Sequence, residues 1–427
     1  MIPFFKTLWR DRRGNALIIA GAAMPLLIGS VGLATDTIQW ALWNRQLQRA
    51  ADSAAFAGAY ARFQDESSSA AVDRDLTNNN HLWVPLNGGY PQVSEPADTA
   101  TFVRAVEVSL QVQQALTFSS MFLSTVPTIT VTARAAAIDK YNYCVVALED
   151  SNIVAGITIQ GSTIVNLGCG MMSNSFAPIS VGVNGNGHNV TASPVSGAGG
   201  VPDINGVSQS DELSGQIPVL DPYADLYDTS VPAGLPGGCT GKNSPTKQAT
   251  TTAADAAAGV TETLKPGCYT GNNQFKFTGG KTKLLPGTYY LNSTDFETQG
   301  TANITGTGVT IILTGSTPGQ VKLNGTGVIN LTAPTTGTFA KMLFIQSANA
   351  SNSDGNIING NNGSTFDGAM YFPNQGFTFT GDSGAATKCA MVVARRVQFS
   401  GNSNLQNNTV GCVADKKVKG KVIKLIA

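Results

Sequence analysis

Short strings recur at a near-constant spacing in the second half of the chain, and this limits the fold more than any other feature. Leu264-Lys265-Pro266-Gly267-Cys268-Tyr269 returns twenty residues on as Leu284-Leu285-Pro286-Gly287-Thr288-Tyr289. Gly306-Thr307-Gly308-Val309 returns after nineteen as Gly325-Thr326-Gly327-Val328. Phe379-Thr380-Gly381-Asp382-Ser383 returns after twenty as Phe399-Ser400-Gly401-Asn402-Ser403. Apolar runs lie between them at 309–313, 342–345, 369–372 and 390–394. A period near twenty is about one coil of a parallel β-solenoid, in which each coil buries its inward side chains only by stacking on the next. Its turns demand positive φ, which Gly and Asn supply. A β-sandwich also places strands at short intervals, but gives no reason for turn chemistry to repeat at this period. The reading is a right-handed parallel β-solenoid over 144–427. A stretch rich in Pro, Gly, Ser and Thr at about 195–262 is a long excursion from it.

The 427 residues suggest two or more domains. Net formal charge is zero and 13% of residues are charged, so no basic footprint points to nucleic acid. All six cysteines (Cys144, Cys169, Cys239, Cys268, Cys389 and Cys412) fall after residue 143. An even count in an exported chain implies disulfides. Sequence does not choose among the pairings; neighbours in order (144–169, 239–268, 389–412) are the simplest. Zinc needs closely spaced pairs of the CxxC or CxxH kind, and none occurs.

The export reading comes from the other end. No charged residue interrupts Asn15 to Ala34, and a helix of that length spans about 30 Å, one hydrocarbon core. Residues 15–35 therefore read as a transmembrane helix with Ala16, Leu17, Pro25, Leu27 and Gly32 in its core. Lys6, Arg10, Arg12 and Arg13 precede it, which places residues 1–14 in the cytoplasm and the rest outside. A cleaved signal peptide is the competing reading, with Gly32-Leu33-Ala34 as a cleavage site. The apolar run is longer than such peptides carry, and the helical pattern continues through an amphipathic segment at 36–62. Leu47, Ala50, Ala54 and Ala61 form a small-residue seam there. Such a seam packs either on its own domain or against partner membrane helices.

The segment RDRRGNALIIAGAAMPLLIGSVGLATDTIQWALWNRQLQRAADSAAFAGA resembles the N-terminus of TadE/TadG-like proteins of tight-adherence (Flp) pilus systems. The resemblance rests on Arg13-Gly14-Asn15, Pro25-Leu26-Leu27, Val31 to Asp36, and Leu47 to Ala55. It is closer to the TadG type than to processed pseudopilins, which are cut after a glycine and carry a glutamate five residues on. Counted from Gly14, that position holds Ile19. The PGxY coils, Leu331-Thr332-Ala333-Pro334, Gly368 to Pro373, and the late Cys389 and Cys412 resemble the C-terminal half of long TadG-like proteins. Asp65-x-Ser67-x-Ser69 copies the start of the adhesion motif of larger members with a von Willebrand A domain. Here it follows a helix end rather than a buried strand, and it reads as a solvated loop.

Between anchor and solenoid, residues 63–143 read as a small membrane-proximal α+β module: a polar loop to 99, a strand from Val106 to Val112, a short helix between Gln114 and Leu123, and a second strand at Ile129 to Ala133. Catalytic constellations are poorly represented. Gly381-Asp382-Ser383-Gly384 copies a serine-protease string, but only His81 and His188 exist to serve it. Asp221, Asp225 and Asp228 share a face if they start a helix, without a completing calcium loop. Solenoid polysaccharide hydrolases need paired acids flanking the bond, and their Asn-x-Asp, Asp-Asp and Gly-His-Gly strings are absent. Arg395 and Arg396, neighbours on a strand, should face opposite sides, and whichever lies on the outer face reads as solvated. The lysines of 416–424 read as a charged end strand that blocks further stacking, or as an anionic-lipid contact.

The expectation is thus a mainly β, non-enzymatic chain without cofactor or metal. An N-terminal transmembrane and amphipathic α-helix would anchor it in the inner membrane, with the solenoid in the periplasm or surface-associated. Its partners would be pilus assembly proteins, the membrane, and surface glycans or other envelope components, with no nucleic acid. A glycan-binding adhesin and a β-helix carbohydrate-active enzyme are the alternatives.

Overall fold

The computed structural model describes residues 13–78, 85–122, 124–185, 187–227, 229–235, 238–271, 274–359, 363–380, 385–401, 404–408 and 418–426. The chain divides into two units, Met1–Asp139 with Val422–Ala427, and Lys140–Lys421.

In the first unit, helix α1 (Arg13–Phe63) runs unbroken for 51 residues through Pro25. Asp65, at φ 58°, ends the turn after it, and Ser67 caps α2 (Ser68–Asn78) by accepting from the Ala70 N–H at 3.3 Å. The supposed adhesion-motif serine is therefore a helix cap. Strands β1 (Gln92–Ser94), β2 (Val103–Gln113) and β3 (Thr128–Ala147) pair antiparallel, with Val108 opposite Ala133, Leu110 opposite Val131 and Val112 opposite Ile129. The apolar member of each alternating pair is buried, as a sheet with one covered face requires. Between β2 and β3 the expected helix is a single 3₁₀ turn, Ser119–Met121.

The second unit is a solenoid of about ten coils. Each coil visits three parallel sheets in turn. Sheet 1 holds Glu262–Leu264, Lys281–Leu284, Asn303–Thr307 and Ile329–Thr332. Sheet 2 holds Gly267–Thr270, Gly287–Asn292, Val309–Thr314 and Met342–Gln346. Sheet 3 holds Lys276–Phe277, Phe296–Thr298, Val321–Leu323 and Asp354–Asn359. The strands Thr365–Thr380 and Ala385–Phe399 bend through all three sheets. Inward side chains form one core, with Tyr269, Phe275, Phe277 and Phe296 in edge-to-face ring contact toward one end.

The coils do not stack in chain order. Ala385–Phe399 pairs on one side with Thr365–Thr380 and on the other with 145–147 and Ile157–Gln160. Asn404–Asn408 likewise pairs with Ile164–Asn166. The chain therefore enters the solenoid at a middle coil. It builds outward through Gly170–Ser173, Val195–Gly197 and Glu212–Leu213. It then crosses to the far end, restarts at Cys239–Thr240, and winds back until its last coil meets its first. Residues 195–213, expected in the excursion, are coil and cap: Ile204 plugs the core, and Asn205 donates to the His188 carbonyl at 2.8 Å. The far end is covered by 239–261, where buried Lys247 accepts at its carbonyl from Lys265 and Gln248 bridges Leu264. The lysine strand Val418–Leu425 covers neither end. Its continuation at Ile426 donates to the Arg134 carbonyl of the first unit at 2.8 Å.

The crossing segment is a strap on the outer face of sheet 2. Val219 exchanges two hydrogen bonds with the Asn174 side chain at 2.8 and 2.9 Å. Asp221 then accepts from the Tyr371 hydroxyl at 2.6 Å, and Tyr223 lies edge-on to Tyr371. The Tyr227 carbonyl accepts from Ala348, and the Thr229 carbonyl from Thr314. A disulfide from Cys239 to Cys268 closes the run. Sheet 2 is thereby covered on both faces, and Val309–Thr314 and Met342–Gln346 are buried at every residue. That is why its strands are continuous apolar runs while those of sheets 1 and 3 alternate.

Candidate functional site

The first half of α1 is exposed apolar surface. Leu26, Leu27, Ile28, Val31 and Leu33 each show 60–76% of their area. The helix is long and apolar enough to cross a membrane. Pro25 lies on this exposed stretch, and Gly32 is half covered. Ala16 and Leu17 lie in the helix, but their side chains fall outside the described residues. Burying side chains such as these is worth about 1.5–3 kcal/mol each, so a helix left bare in water would be a large exposed patch.

Of the two packings open to the seam, the structure places it against its own module. Leu47, Ala50, Ala54 and Ala61 are buried at 0–4% exposure within their own module. They pack toward β2 and α2; a Cβ on neighbouring Gly58 would meet Val106 at 2.9 Å and Val72 at 3.0 Å. Small residues are needed because the helix lies flat on a sheet and a second helix. What α1 leaves outward beyond the span is a different stripe: Ile38, Trp40, Leu42, Phe56 and Tyr60.

One loop reaches the helix where the apolar run ends. The Asp36 carboxylate, 2% exposed, accepts from the backbone N–H groups of Phe118 at 3.0 Å and Ser119 at 2.5 Å. The Phe118 ring occupies the space a Cβ on Gly32 would take, 2.3 Å from its Cδ2. Gly32 and Asp36 are thus docking positions for the 3₁₀ turn, a role with no signal in helical periodicity.

The solenoid brings together few chemically active groups. Cys144 is bonded to Cys169, and Cys239 to Cys268. The Cys389 side chain and Cys412 lie outside the described residues, as do His81, the Gly381–Gly384 string and Asp228. His188 sits 8% exposed in a turn, its Nδ1 2.9 Å from the Gly185 carbonyl. Asp221 and Asp225 do not share a helical face, since only 224–226 is a 3₁₀ turn. Burial raises the Asp221 carboxyl above its ordinary range, and burial beside that carboxyl pushes the Tyr371 hydroxyl up strongly. Among the described residues no three His, Cys, Asp or Glu groups converge as metal ligands.

Arg395 and Arg396 overturn the solvated reading. Arg395 reaches Glu149 at 2.9 Å, and Arg396 reaches Asp354 at 2.9 Å and Glu149 at 3.8 Å. Glu149 is 3% exposed. The two arginines stand at the corner between sheets 2 and 3, where strand alternation no longer applies, and they clamp the first coil to the last. A second buried polar cluster fills the same kind of corner. Gln346 donates to Gln375 at 3.0 Å, Asn356 donates to Gln346 at 3.3 Å, and Gln375 donates to the Ser351 carbonyl at 2.8 Å. In the second cluster the side-chain amides satisfy one another, whereas in the first the contacts are ion pairs, with Arg396 Nε left buried without a hydrogen-bond partner. On sheet 1 the outward row includes Lys283, Thr305, Asn330 and Thr365, one residue per coil.

Residues 14–61 match a family model described as putative Flp pilus-assembly TadE/G-like. No curated protein and no solved structure matches the chain.

Proposed function

Since residues 14–61 match a TadE/G-like pilus-assembly family model, we propose that the chain is a non-enzymatic, single-pass inner-membrane component of tight-adherence pilus assembly or surface attachment. The N-terminus would be cytoplasmic and the solenoid periplasmic or surface-associated, with pilus assembly proteins as its partners. One observation carries this reading: an exposed apolar half-helix continues without a break into a half buried in a folded module. A removable leader has no reason to supply the core of the domain behind it. The buried clusters at the solenoid corners are structural, which favours a mechanical role over a catalytic one. Deleting the gene should abolish or sharply reduce piliation and surface adhesion, with recovery on complementation. Normal pili and normal adhesion in the deletion strain would sink the assembly role.

A glycan-binding adhesin is the second reading, favoured by the uncharged exposed hydroxyls of Thr305 and Thr365 along sheet 1. Asn330 already spends its carbonyl oxygen on Thr365, which leaves less of that row free for sugar. Glycan-array binding lost in a Thr305→Ala, Thr365→Ala double variant would establish it.

A further inference from the structure

The loop between β2 and β3 carries no charge from Gln114 to Thr128. Met121 and Phe122 at its tip are 76% and 74% exposed, and Val126 is 46% exposed. Such side chains at a loop tip usually turn inward; here the loop is held so that they do not. Asp36 fixes its backbone through Phe118 and Ser119, and the Phe118 ring is wedged on Gly32, tilted against Phe122 at 5.3 Å. A cleft of about 550 Å³ remains between loop and helix, lined by Thr35, Ile38, Leu42, Phe118 and Met121 among others. The attachment level is informative. Gly32 and Asp36 lie where the uncharged run ends, and the next charge on α1 is Arg45. Trp40 lies between, the residue type that gathers at membrane interfaces.

We propose that the 115–126 loop is an interfacial anchor that inserts Met121 and Phe122 into the outer leaflet beside the emerging helix. The occupant of this apolar face is lipid, because the face is continuous with the membrane-spanning surface of α1 through Val31, Leu33 and Ile38. The Asp36 carboxylate sits at the boundary and is spent on two backbone donors, so it can approach the interface without an unsatisfied charge. The module then holds the bilayer at two points, a crossing helix and a shallow loop, as interfacial apolar segments do. A lone helix would be free to slide and spin; the loop sets its depth and rotation.

This rests on the membrane-spanning reading, and the test separates the two. In the full-length chain in lipid nanodiscs, a photoreactive benzoylphenylalanine replaces Leu27, Phe122 or, as a water-facing control, Thr130, which is exposed on β3. After irradiation, adducts are identified by mass spectrometry. Immersion at the acyl boundary predicts lipid adducts at Phe122 within about threefold of Leu27 and about tenfold above Thr130. Lipid adducts at Leu27 with none above the Thr130 level at Phe122 overturn the loop anchor and leave the span standing. Absence of lipid at Leu27 overturns both. Adducts of Phe122 to protein rather than lipid also overturn the proposal. Phe118→Ala, which removes the wedge on Gly32, should lower the Phe122 lipid yield and leave Leu27 unchanged.

Discussion

A solenoid whose first and last coils meet in its middle should survive being cut in two. Ala233 and Gly234 are exposed positions on the strap, so a protease site placed there would divide the chain into an N-terminal piece and a C-terminal piece. Neither disulfide crosses the cut: Cys144–Cys169 lies in the first piece and Cys239–Cys268 in the second. What joins the pieces is noncovalent. Three parallel ladders match 392–394 with 145–147, 397–399 with 157–159, and 404–406 with 164–166. The strap adds Tyr223 against Tyr371, and the corner adds Glu149 between the two arginines. The detergent-solubilised, nicked protein should therefore elute as one species and separate only in denaturant.

Glu149 sets the scale of that join. Removing one partner of a buried ion pair costs about 3–5 kcal/mol. The side chains of Arg395 and Arg396 keep 22% and 27% exposure, and water can partly rehydrate them. Glu149→Ala should then weaken the pair of pieces by about 2–3 kcal/mol, a rise of about 30- to 150-fold in their dissociation constant. Lys283→Ala is the control, because its partner Asp255 lies in the same piece at 2.8 Å; it should leave the constant unchanged. Dissociation is read by labelling one piece and following its exchange with an unlabelled copy. Separation of the nicked wild-type pieces in native buffer would refute the inverted coil order. Equal constants for wild type and Glu149→Ala would refute the energetic role of the corner.

Removing the strap disulfide with Cys239→Ser and Cys268→Ser should cost about 3–4 kcal/mol by loop-closure entropy, given the separation of 29 residues; it is read as a lower urea midpoint, with reductant shifting it further, among the described disulfides, only through Cys144–Cys169. Burial pushes the Tyr143 hydroxyl up to about 12, and raises Tyr223, Tyr269, Tyr289 and Tyr371 more strongly. Each folded value lies above the unfolded one near 10, so the stability these groups contribute is whole below about pH 10 and is lost as pH rises toward the folded value. Tyrosinate absorbance should accordingly rise together with loss of circular dichroism, and Tyr143→Phe should move that transition to higher pH; titration of all ten tyrosines with the fold intact would contradict this. At Gly327 a Cβ would lie 1.8 Å from the Ala302 carbonyl oxygen, whereas at Gly279 the nearest atom is Thr301 Oγ1 at 3.7 Å. Gly327→Ala should destabilise by about 1–3 kcal/mol through overpacking and Gly279→Ala should be near neutral, as thermal unfolding would report.

The sequence repeats varied in what they recorded. The offset of twenty between Leu264 and Leu284, and between Phe379 and Phe399, is the true register of sheets 1 and 3. The GTGV repeat is not a register. Gly306 pairs with Leu331, twenty-five residues on, while Gly325 closes over Gly300. The glycines recur there because both turns need room, not because they stack. The apolar runs at 309–313, 342–345, 369–372 and 390–394 were the best guide of all, for each is a strand of sheet 2 under the strap. The order of the coils was invisible, since every coil carries the same local pattern and only pairing reveals which neighbour it chose. The seam on α1 was legible as a packing surface but not as to its partner. A stripe of Leu and Ala suits an internal sheet as well as another membrane helix, and only the placement of β2 and α2 decides. The docking of Phe118 on Gly32 left no trace, because the contact spans 86 residues and depends on a missing side chain.

The inverted order gives the connection to the anchor a consequence. A repeat array ordinarily frays from its terminal repeats, which lack a neighbour on one side. Here neither end coil is where the chain enters from the anchor. One end is closed by 204–213 with Ile204 in the core, and the other by 239–261 with a disulfide on its first strand. Strand β3 instead delivers the chain from the first unit to a middle coil, where 145–147 is flanked by 392–394 on one side and Gly170–Ser173 on the other. Tension arriving along β3 therefore meets parallel ladders on both sides, the Cys144–Cys169 bond, and the Glu149 clamp two residues beyond the strand. To strip that coil, both neighbours must be released together, whereas an end coil needs only one. The covered ends carry none of that tension directly, because the chain leaves the first unit along β3 into a middle coil and returns to it through Val422–Ala427 rather than through either end.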